Sequence, residues 1–455
     1  MTIYSGQRAV TDCLCTEYNI YIAKLIIRLG GVALSLPRVA FGSRQLKKQR
    51  PLIKGTDVRR LQQALKHLGF FRARVDGVFG YRTSEAVREF QSFFKLKQNG
   101  KVSDDEFNIL TELVQAGINK WHTPCHDFAH TGYLPAPITA QLTLSKTWNI
   151  SDVLWLNSTS DRLIVTTKEQ VLAISLISGK VLWRTAKIFP VAAPVISEGQ
   201  LLIPAQNLEI LDLFSGKRLQ SISQDNFTTA VAARGGKIYA SSWGSLHAFD
   251  RKGKALWKYR TSGAFCTSPT LGYDLIYFAS YDRNIYCLDD EGTLYWKTKV
   301  SDMIKLPLAI WDGKIFAVSQ DARIYAINPL LGSLIWQKKF TDDELMMPAF
   351  HPDFMLLANY KGEVVAISFQ SGQTKWAADL PAAPTTSPVV LKKTCFIGTE
   401  GGLVAYDIES LKCRRFLEGE TIRAIAPAAL SLFVATDKKL VKLVPNQEPH
   451  PTRKQ

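Results

Sequence analysis

A short pattern that ends in tryptophan recurs along most of this 455-residue chain. Each copy has a turn, a glycine, a brief apolar run and then the tryptophan, and successive copies are about 37 to 40 residues apart. Five copies are complete, and they end at Trp183, Trp257, Trp296, Trp336 and Trp376. Two segments keep the spacing without the tryptophan. In the first, Gln220 at the end of SGKRLQ takes the tryptophan position, and in the second, that position is assigned to Arg415, which follows ESLKCR. A repeat of this period predicts repeated copies of one structural unit.

One repeat, beginning near Phe265, shows what the unit is. It contains the runs SPTLG, LIYFAS, IYCLDD and TLYWKTKV, separated by turns at residues 281–284 and 291–292. The runs are short, rich in β-branched and aromatic residues, and bounded by Gly, Asp, Asn or Ser, as strands joined by tight turns require. Each unit is therefore predicted to be a four-stranded sheet, and such units close into a β-propeller.

Seven complete units and three strands of an eighth fit between Val153 and Val444. The run LTLSKTW, which ends at Trp148, is available to supply the missing outer strand. Closing the ring with strands from both ends removes exposed sheet edges. The predicted fold is mainly β: an eight-bladed propeller at 142–445, closed by the strand at 142–149 and preceded by a small three-helix domain.

The tryptophans, with Trp148 as a sixth, are predicted to pack one blade on the next, since large aromatics dominate core packing. The pattern resembles the tryptophan-docked repeats of quinoprotein dehydrogenases and of cofactor-free propellers from the bacterial envelope. The preceding linker, residues 118–141, adds a second match. Its sequence WHTPCHDFAHTGY is similar to the lead-in found before the first blade of such proteins, at positions Trp121, Asp127, His130, Thr131, Gly132 and Tyr133.

Residues 51–117 form a second region, and they resemble the peptidoglycan-binding domain of cell-wall hydrolases. The matching positions are Asp57, Val58, Leu61, Gln62, Leu65, Leu68, Gly69, Asp76, Gly77, Phe79, Gly80, Thr83, Ala86, Val87, Phe90, Gln91, Gly100 and Val102. Lys95 and Asn99 depart from the family pattern, where glycine and aspartate are usual, and this puts the local turn in doubt. Apolar spacing predicts three helices, capped by Thr56, by Thr83 and by a Ser103–Glu106 capping box.

Aromatic and charged side chains gather around the Asp76–Gly77 turn of this region. They are the candidates for holding a glycan and its peptide stem, although so small a domain must also use some of them as core. The candidates are Phe70, Phe71, Asp76, Phe79, Tyr81 and Arg82.

The formal charge of +16 is concentrated in residues 1–50, which carry about +6. No folded face is predicted to gather the Lys and Arg side chains that nucleic-acid binding needs, so an anionic wall or membrane surface is the expected electrostatic partner. Lys24 and Arg28 precede an apolar stretch, and Ala40 lies near a small-residue site, which together outline a secretory signal. No stretch of about eighteen uncharged apolar residues predicts a membrane span. Residues 446–455 are expected to be a disordered tail.

The chain also contains residue types that can bind metal or take part in catalysis. His122, Cys125, His126 and His130 include zinc-ligand types, but adjacent Cys125 and His126 would have difficulty facing one metal, so no metal site is predicted. The cysteines of the repeats are interpreted as buried apolar residues rather than disulfides. No adjacent cysteines, paired carboxylates, P-loop or HExxH motif indicates catalysis.

The sequence thus predicts an extracytoplasmic, non-catalytic adaptor without cofactor, whose helical domain binds peptidoglycan and whose propeller binds an unidentified envelope protein. Turns between the second and third strands of every blade should share one face. The partner-binding candidates on that rim are Trp243, Tyr281, Arg283 and Tyr360. A divergent quinoprotein-like oxidoreductase and a cytoplasmic propeller are the alternatives.

Overall fold

The structure is a computed structural model. It describes residues 53–446, apart from 68–69, 72–74, 94–97, 104–105, 107–109, 111–126, 128–129, 135–137, 139, 224–226, 265 and 429–430. The predicted signal at the N-terminus and the predicted tail beyond Asn446 lie outside the described residues. None of the helices in the described residues is both long enough and apolar enough to cross a membrane.

Two helices form the described part of the N-terminal domain: α1 (Thr56–His67) and α2 (Tyr81–Phe93). The apolar spacing of α1 brings Val58, Leu61 and Leu65 to one face, where all three are fully buried. They pack in one cluster with Val87 and Phe90 of α2. The same cluster also includes residues of blades 1, 7 and 8, so the core of this domain uses the faces that the sequence predicts and is continuous with the core of the propeller.

Of the two helix starts predicted after α1, the structure contradicts the first and confirms the second. The α2 helix begins at Tyr81, so Thr83 is not its cap; the Thr83 hydroxyl lies in the first turn and donates to the Val78 carbonyl at 3.2 Å. The capping box is confirmed, because the Glu106 backbone donates to Ser103 Oγ and the Ser103 backbone donates to Glu106 Oε2. Most of the third predicted helix lies outside the described residues.

The rest of the described chain contains 33 strands, joined by turns and loops. The lead-in contributes β1 (Tyr133–Leu134), and β2 (Leu142–Trp148) follows it. Blades 1 to 4 contain β3 (Val153–Ser158), β4 (Arg162–Thr167), β5 (Val171–Ser175), β6 (Val181–Arg184); β7 (Val195–Ser197), β8 (Gln200–Pro204), β9 (Leu208–Asp212), β10 (Arg218–Ile222); β11 (Ala232–Arg234), β12 (Lys237–Ser242), β13 (Ser245–Asp250), β14 (Ala255–Arg260); β15 (Thr270–Gly272), β16 (Leu275–Ser280), β17 (Asn284–Leu288) and β18 (Leu294–Lys299). Blades 5 to 8 contain β19 (Ala309–Trp311), β20 (Lys314–Val318), β21 (Arg323–Ile327), β22 (Leu334–Lys339); β23 (Ala349–His351), β24 (Phe354–Ala358), β25 (Glu363–Ile367), β26 (Thr374–Asp379); β27 (Val389–Leu391), β28 (Thr394–Thr399), β29 (Gly402–Asp407), β30 (Cys413–Phe416); β31 (Ile422–Ala428), β32 (Ser431–Thr436) and β33 (Leu440–Pro445).

Each of the first seven blades contains four consecutive antiparallel strands, and in blade 7 the strand β1 adds a fifth, parallel strand beside β27. The first strands of neighbouring blades contact each other around the axis, and the fourth strands form the exposed circumference. Blade 8 has the order β2-β33-β32-β31, with Leu142 opposite Pro445 and Trp148 opposite Leu440. The predicted eight-bladed, mainly β fold with a split closing blade is therefore confirmed.

The repeated tryptophans dock each blade on the next one along the chain. Five indole nitrogens donate to a carbonyl in the turn between the third and fourth strands of that next blade, at 2.9 to 3.3 Å: Trp148, Trp183, Trp257, Trp296 and Trp336. The glycine of the receiving turn makes room for the ring. A Cβ on Gly332, for example, would lie 2.5 Å from the Trp296 ring. Within one motif, the glycine therefore receives the tryptophan of the preceding blade, and the tryptophan docks on the following blade.

The two copies that lack tryptophan behave differently. The Gln220 side chain donates to the Lys252 carbonyl and so replaces the indole donor with an amide. The assignment of Arg415 is wrong, because Arg414 is the residue opposite Ala405, as Trp376 is opposite Ala366 in blade 6. The cause is local: the β29–β30 pairing has no β-bulge, whereas the β25–β26 pairing skips one residue there.

The described cysteines are unpaired, and three of the four are buried: Cys266, Cys287 and Cys395. Burial raises the pKa of the Cys266 thiol to about 11 and that of Cys287 to about 12, which keeps both neutral. The prediction of a buried thiol is wrong for Cys413, which is exposed because it begins the outermost strand of blade 7.

Candidate functional site

One buried side chain, that of Gln62, holds the loop that precedes α2. Its Oε1 accepts from the backbone nitrogens of Asp76 and Gly77 at 3.1 and 2.8 Å. Its Nε2 donates to Asp76 Oδ1 at 2.8 Å and to Thr83 Oγ1 at 2.9 Å. The hydrogen bond from Gln62 lowers the pKa of the Asp76 carboxyl. The turn is thus fixed to α1 and α2 at once.

The six candidates for glycan contact divide into a buried and an exposed group. Phe79 is fully buried, and Phe70 and Phe71 are 7% and 4% exposed, so these three rings belong to the core. Phe70 packs edge-to-face against Phe90, with ring centroids 5.7 Å apart. The exposed group is Asp76, Tyr81 and Arg82, and the Tyr81 side chain is 60% exposed. Any surface role at this loop rests on the exposed group.

A second clamp of the same design lies in the other half of the domain, and sequence reasoning missed it. Gln91 is fully buried; its Oε1 accepts from the Gly100 nitrogen at 2.9 Å and its Nε2 donates to Asn99 Oδ1 at 3.0 Å. Asn99 Oδ1 also accepts from the Lys101 nitrogen, as an aspartate would. The departure at Asn99 therefore leaves the turn intact. The shared signal was a helical Gln followed by Asp-Gly or Asn-Gly.

Residues 130–134 of the lead-in lie at the centre of the ring, against the first strands of the blades. Strand β1 pairs in parallel with β27, the first strand of blade 7, with Tyr133 opposite Val390. The carbonyl of Thr131 accepts from the Phe350 nitrogen of blade 6, and the Tyr133 ring lies edge-on to Trp311 of blade 5 at 5.5 Å. The segment thereby joins three blades along the axis.

His130 extends this contact to blade 4. It is 5% exposed, and its Nδ1 lies 3.2 Å from Thr270 Oγ1. Because the Thr270 hydroxyl donates to the Leu308 carbonyl at 2.8 Å, it accepts from His130, and Nδ1 carries the proton. Burial lowers the pKa of the imidazole to about 4, partly opposed by the carboxylate of Asp127. The ring is therefore neutral near pH 7.

The turns between second and third strands define one face of the ring, here termed the upper face. It comprises residues 168–170, 205–207, 243–244, 281–283, 319–322, 359–362, 400–401 and 437–439. Trp243 and Tyr360 are 58% and 55% exposed there, Arg283 is exposed, and Tyr281 is half-buried. Asp282 shapes the turn that carries Tyr281 and Arg283, because its carboxylate accepts from the Asn284 nitrogen and the Tyr286 hydroxyl. Large side chains thus stand at three separate blades of this face.

A cavity of about 230 Å³ opens beside the axis on the upper face. Its wall includes Gly132 of the lead-in, Trp155 of blade 1, Thr385 and Ser387 before blade 7, and Arg423 of blade 8. The hydroxyl of Thr385 donates to the Ile422 carbonyl at 2.6 Å, and the Arg423 guanidinium pairs with Asp437. The partners of both groups lie outside the wall, and Arg423 is the one charged residue among the described residues that line the cavity.

The candidate zinc ligands do not converge within the described part of the chain. His130 lies in the axis, whereas His122, Cys125 and His126 are outside the described residues. Among the described side chains, no group of three or more His, Cys, Asp or Glu is arranged to hold a metal ion.

Two family models match this chain. Residues 54–110 match the putative peptidoglycan binding domain, and residues 242–444 match the model described as outer membrane protein assembly factor BamB. The second match covers blades 4 to 7, the strands of blade 8 other than β2, and part of blade 3. Both matches agree with the resemblances seen in the sequence.

Individual relatives divide along the same boundary. The outer membrane protein assembly factor BamB of Nitrosomonas eutropha is 23% identical over 207 residues, which are 41% of this chain and 51% of the relative. The chain thus spans about half the length of that protein. The spore cortex-lytic enzyme of Oceanobacillus iheyensis is 46% identical over 85 residues, 17% of this chain and 29% of the enzyme.

Solved structures show the propeller fold. BamB from Moraxella catarrhalis superposes with a TM-score of 0.58 at 17% identity and covers 68% of this chain and 100% of that one. The quinohemoprotein alcohol dehydrogenase of Comamonas testosteroni superposes with a TM-score of 0.61 at 14% identity, over 78% and 84%. The chain therefore joins a putative peptidoglycan binding domain to an eight-bladed β-propeller of quinoprotein-type, tryptophan-docked repeats.

Proposed function

We propose that this protein is a non-catalytic adaptor of the cell envelope. Its N-terminal domain binds peptidoglycan, and its propeller binds a protein partner through the upper face. The observation that carries the proposal is the fusion itself: a wall-binding module is joined to a propeller like that of an outer membrane assembly factor, where a wall hydrolase would have its catalytic domain. An extracytoplasmic location follows from both modules.

The wall-binding half of the proposal rests on the exposed side chains around the clamped loop. Tyr81 offers an aromatic face to a sugar ring, and Arg82 offers a planar donor to a stem-peptide carboxylate. Both belong to the first turn of α2, and the bonds of Gln62 hold the preceding turn in place. A site held in this way loses little side-chain and loop entropy on binding.

Sedimentation with purified sacculi tests this half. The parent chain should sediment with sacculi, and a Tyr81→Ala/Arg82→Ala variant should bind at least about tenfold more weakly, since each lost contact costs on the order of 1 kcal/mol. The matched control is Tyr295→Ala/Lys297→Ala, which removes the same chemistry from the exposed outer strand of blade 4. Equal binding by both variants and the parent would show that the loop does not contact the wall. Full binding by residues 118–455 alone would show that the N-terminal domain is not the wall-binding part.

The partner-binding half rests on the side chains of the upper face. Exposed tryptophan, tyrosine and arginine are the residues that most often anchor protein interfaces. Here Trp243, Arg283 and Tyr360 stand on blades 3, 4 and 6 of the same face on which the cavity lined by blades 1, 6, 7 and 8 opens, and one partner side chain can enter that cavity. Since the turns differ between blades, this face can distinguish one partner from another.

A spectroscopic experiment tests the non-catalytic part. Adding pyrroloquinoline quinone and calcium to the purified chain should leave the absorbance of the quinone unchanged and give no alcohol-dependent dye reduction. A saturable spectral shift together with dye reduction would favour a quinoprotein-like oxidoreductase instead.

A further inference from the structure

The interface between blades 7 and 8 lacks both partners of the usual docking contact. Blade 7 presents Arg414 where the other blades except blade 2 present an indole. Blade 8 has no turn between its third and fourth strands, because β33 and β2 come from opposite ends of the propeller sequence. A backbone hydrogen bond of 2.8 Å, from the Asn446 nitrogen to the Gln141 carbonyl, spans that position. As far as the described residues reach, the interface is therefore open where the tryptophan-docked interfaces are filled.

A cavity of about 350 Å³ occupies this place. Its polar lining comes from both sides of the interface: Asp407, Ser410, Lys412 and Arg414 from blade 7, and Gln141 and Asn446 from the edge of blade 8. Its size lies at the lower end of the range for small-ligand sites, roughly 300 to 1,000 Å³. A small molecule fits it better than a polymer strand does.

Two cations, Lys412 and Arg414, face this cavity, and its described lining contains one anion, Asp407. Lys412 and Arg414 are two positions apart in extended chain, so their side chains share one side and start about 7 Å apart. Neither makes a side-chain hydrogen bond or ion pair in the described structure, whereas neighbouring Lys393 pairs with Glu409 at 2.9 Å. The described lining therefore keeps a net positive charge.

The one carboxylate in the lining is already engaged. Asp407 Oδ1 accepts from the Ser410 nitrogen and from Ser410 Oγ, each at 2.8 Å. These bonds lower the pKa of Asp407 and hold the turn between β29 and β30. The carboxylate thus shapes the wall and leaves the cations available to a ligand.

We infer that this cavity is a binding site for a small oxyanion, a molecule with at least two phosphate or carboxylate oxygens. Arginine matches such groups with two parallel N–H donors, and lysine adds a point charge. The site lies at the outer edge of the ring, away from the upper face, and does not depend on the adaptor proposal. It exists because the ring is closed by two chain segments instead of a continuous blade.

Isothermal titration with pyrophosphate and, separately, with citrate tests the inference on the full chain at low salt. At least one anion should bind saturably, and Lys412→Ala/Arg414→Ala should weaken that binding at least tenfold. The matched control, Lys297→Ala/Lys299→Ala, removes the same charge from the exposed strand β18 and should change the affinity less than twofold. The two anions distinguish a phosphate ligand from a carboxylate one.

The single variant Arg414→Gln keeps a polar side chain but removes the charge and the forked donor, and it should also weaken binding, with an unchanged melting temperature. Absence of saturable binding for both anions would overturn the inference. Equal loss in the β18 control would also overturn it, since general electrostatic attraction would then account for the binding.

Discussion

At the residue scale, the docking contact separates two roles of glycine. Gly332 has φ of 67° and receives the Trp296 ring, whereas Gly313 has φ of 74° and no atom within 4 Å of an added Cβ. Gly313→Ala should cost only the left-handed backbone, about 1 kcal/mol. Gly332→Ala should cost about 1 to 3 kcal/mol more, because the indole must move. Denaturant unfolding measures both, and equal losses would mean that the ring does not need this space.

The histidine in the axis gives a pH dependence. Its pKa is about 4 in the folded state and about 6.5 in an unfolded chain, so its neutral form is preferred by folding. The stability contributed is complete above pH 6.5 and is lost as the pH falls toward 4, up to about 3 kcal/mol for a fully buried ring. His130→Asn should therefore reduce the loss of stability of the chain between pH 7 and pH 4.5. Urea unfolding at several pH values measures this, and identical pH profiles would contradict it.

Single residues were predictable where one position repeats. The docking role of the tryptophans followed from their recurrence, because the same contact is needed at every interface. The burial of Phe70, Phe71 and Phe79 did not follow, since aromatics around a loop serve a core and a binding surface equally well. The turn at Asn99 was put in doubt, and the tryptophan position of blade 7 was assigned to Arg415 instead of Arg414, because side-chain bonds and a missing β-bulge decide these two places.

At the element scale, the closing strand tests how the ring holds together. Deleting residues 118–150 removes β1 and β2 and leaves the edge of β33 unpaired. The shortened chain should aggregate or melt about 10 °C or more below the parent, whereas deletion of residues 1–50 should leave melting unchanged. Differential scanning calorimetry on both chains decides this. Equal melting temperatures would show that the edge of blade 8 does not limit stability.

Strand β2 and strand β1 show the limit of pattern reading at this scale. The seven residues of β2, LTLSKTW, are long enough for an outer strand and end in the repeat tryptophan, so its place in blade 8 was predictable. Strand β1 has two residues, too few for a pattern, and its parallel pairing with β27 depends on the three-dimensional course of the lead-in.

At the scale of the whole molecule, the upper face is the surface to test. Trp243→Ala/Arg283→Ala/Tyr360→Ala should keep the melting temperature within a few degrees, because Trp243 and Tyr360 are more than half exposed. It should abolish crosslinking to the envelope partner in intact cells. The control Tyr295→Ala/Lys297→Ala/Leu331→Ala changes exposed side chains elsewhere and should crosslink normally. Unchanged crosslinking by the folded upper-face variant would move the binding surface to another part of the molecule.

The lead-in makes the eight blades unequal at the upper end of the axis. The contacts of His130, Thr131 and Gly132 all lie at the starts of the first strands, on the side of the upper face. Residues 130–134 contact blades 4, 5, 6 and 7 through Thr270, Trp311, Phe350 and Val390. A ring of eight similar blades would otherwise offer a partner eight similar orientations. A partner that touches these residues meets a face without that symmetry, and so it can dock in one rotational setting.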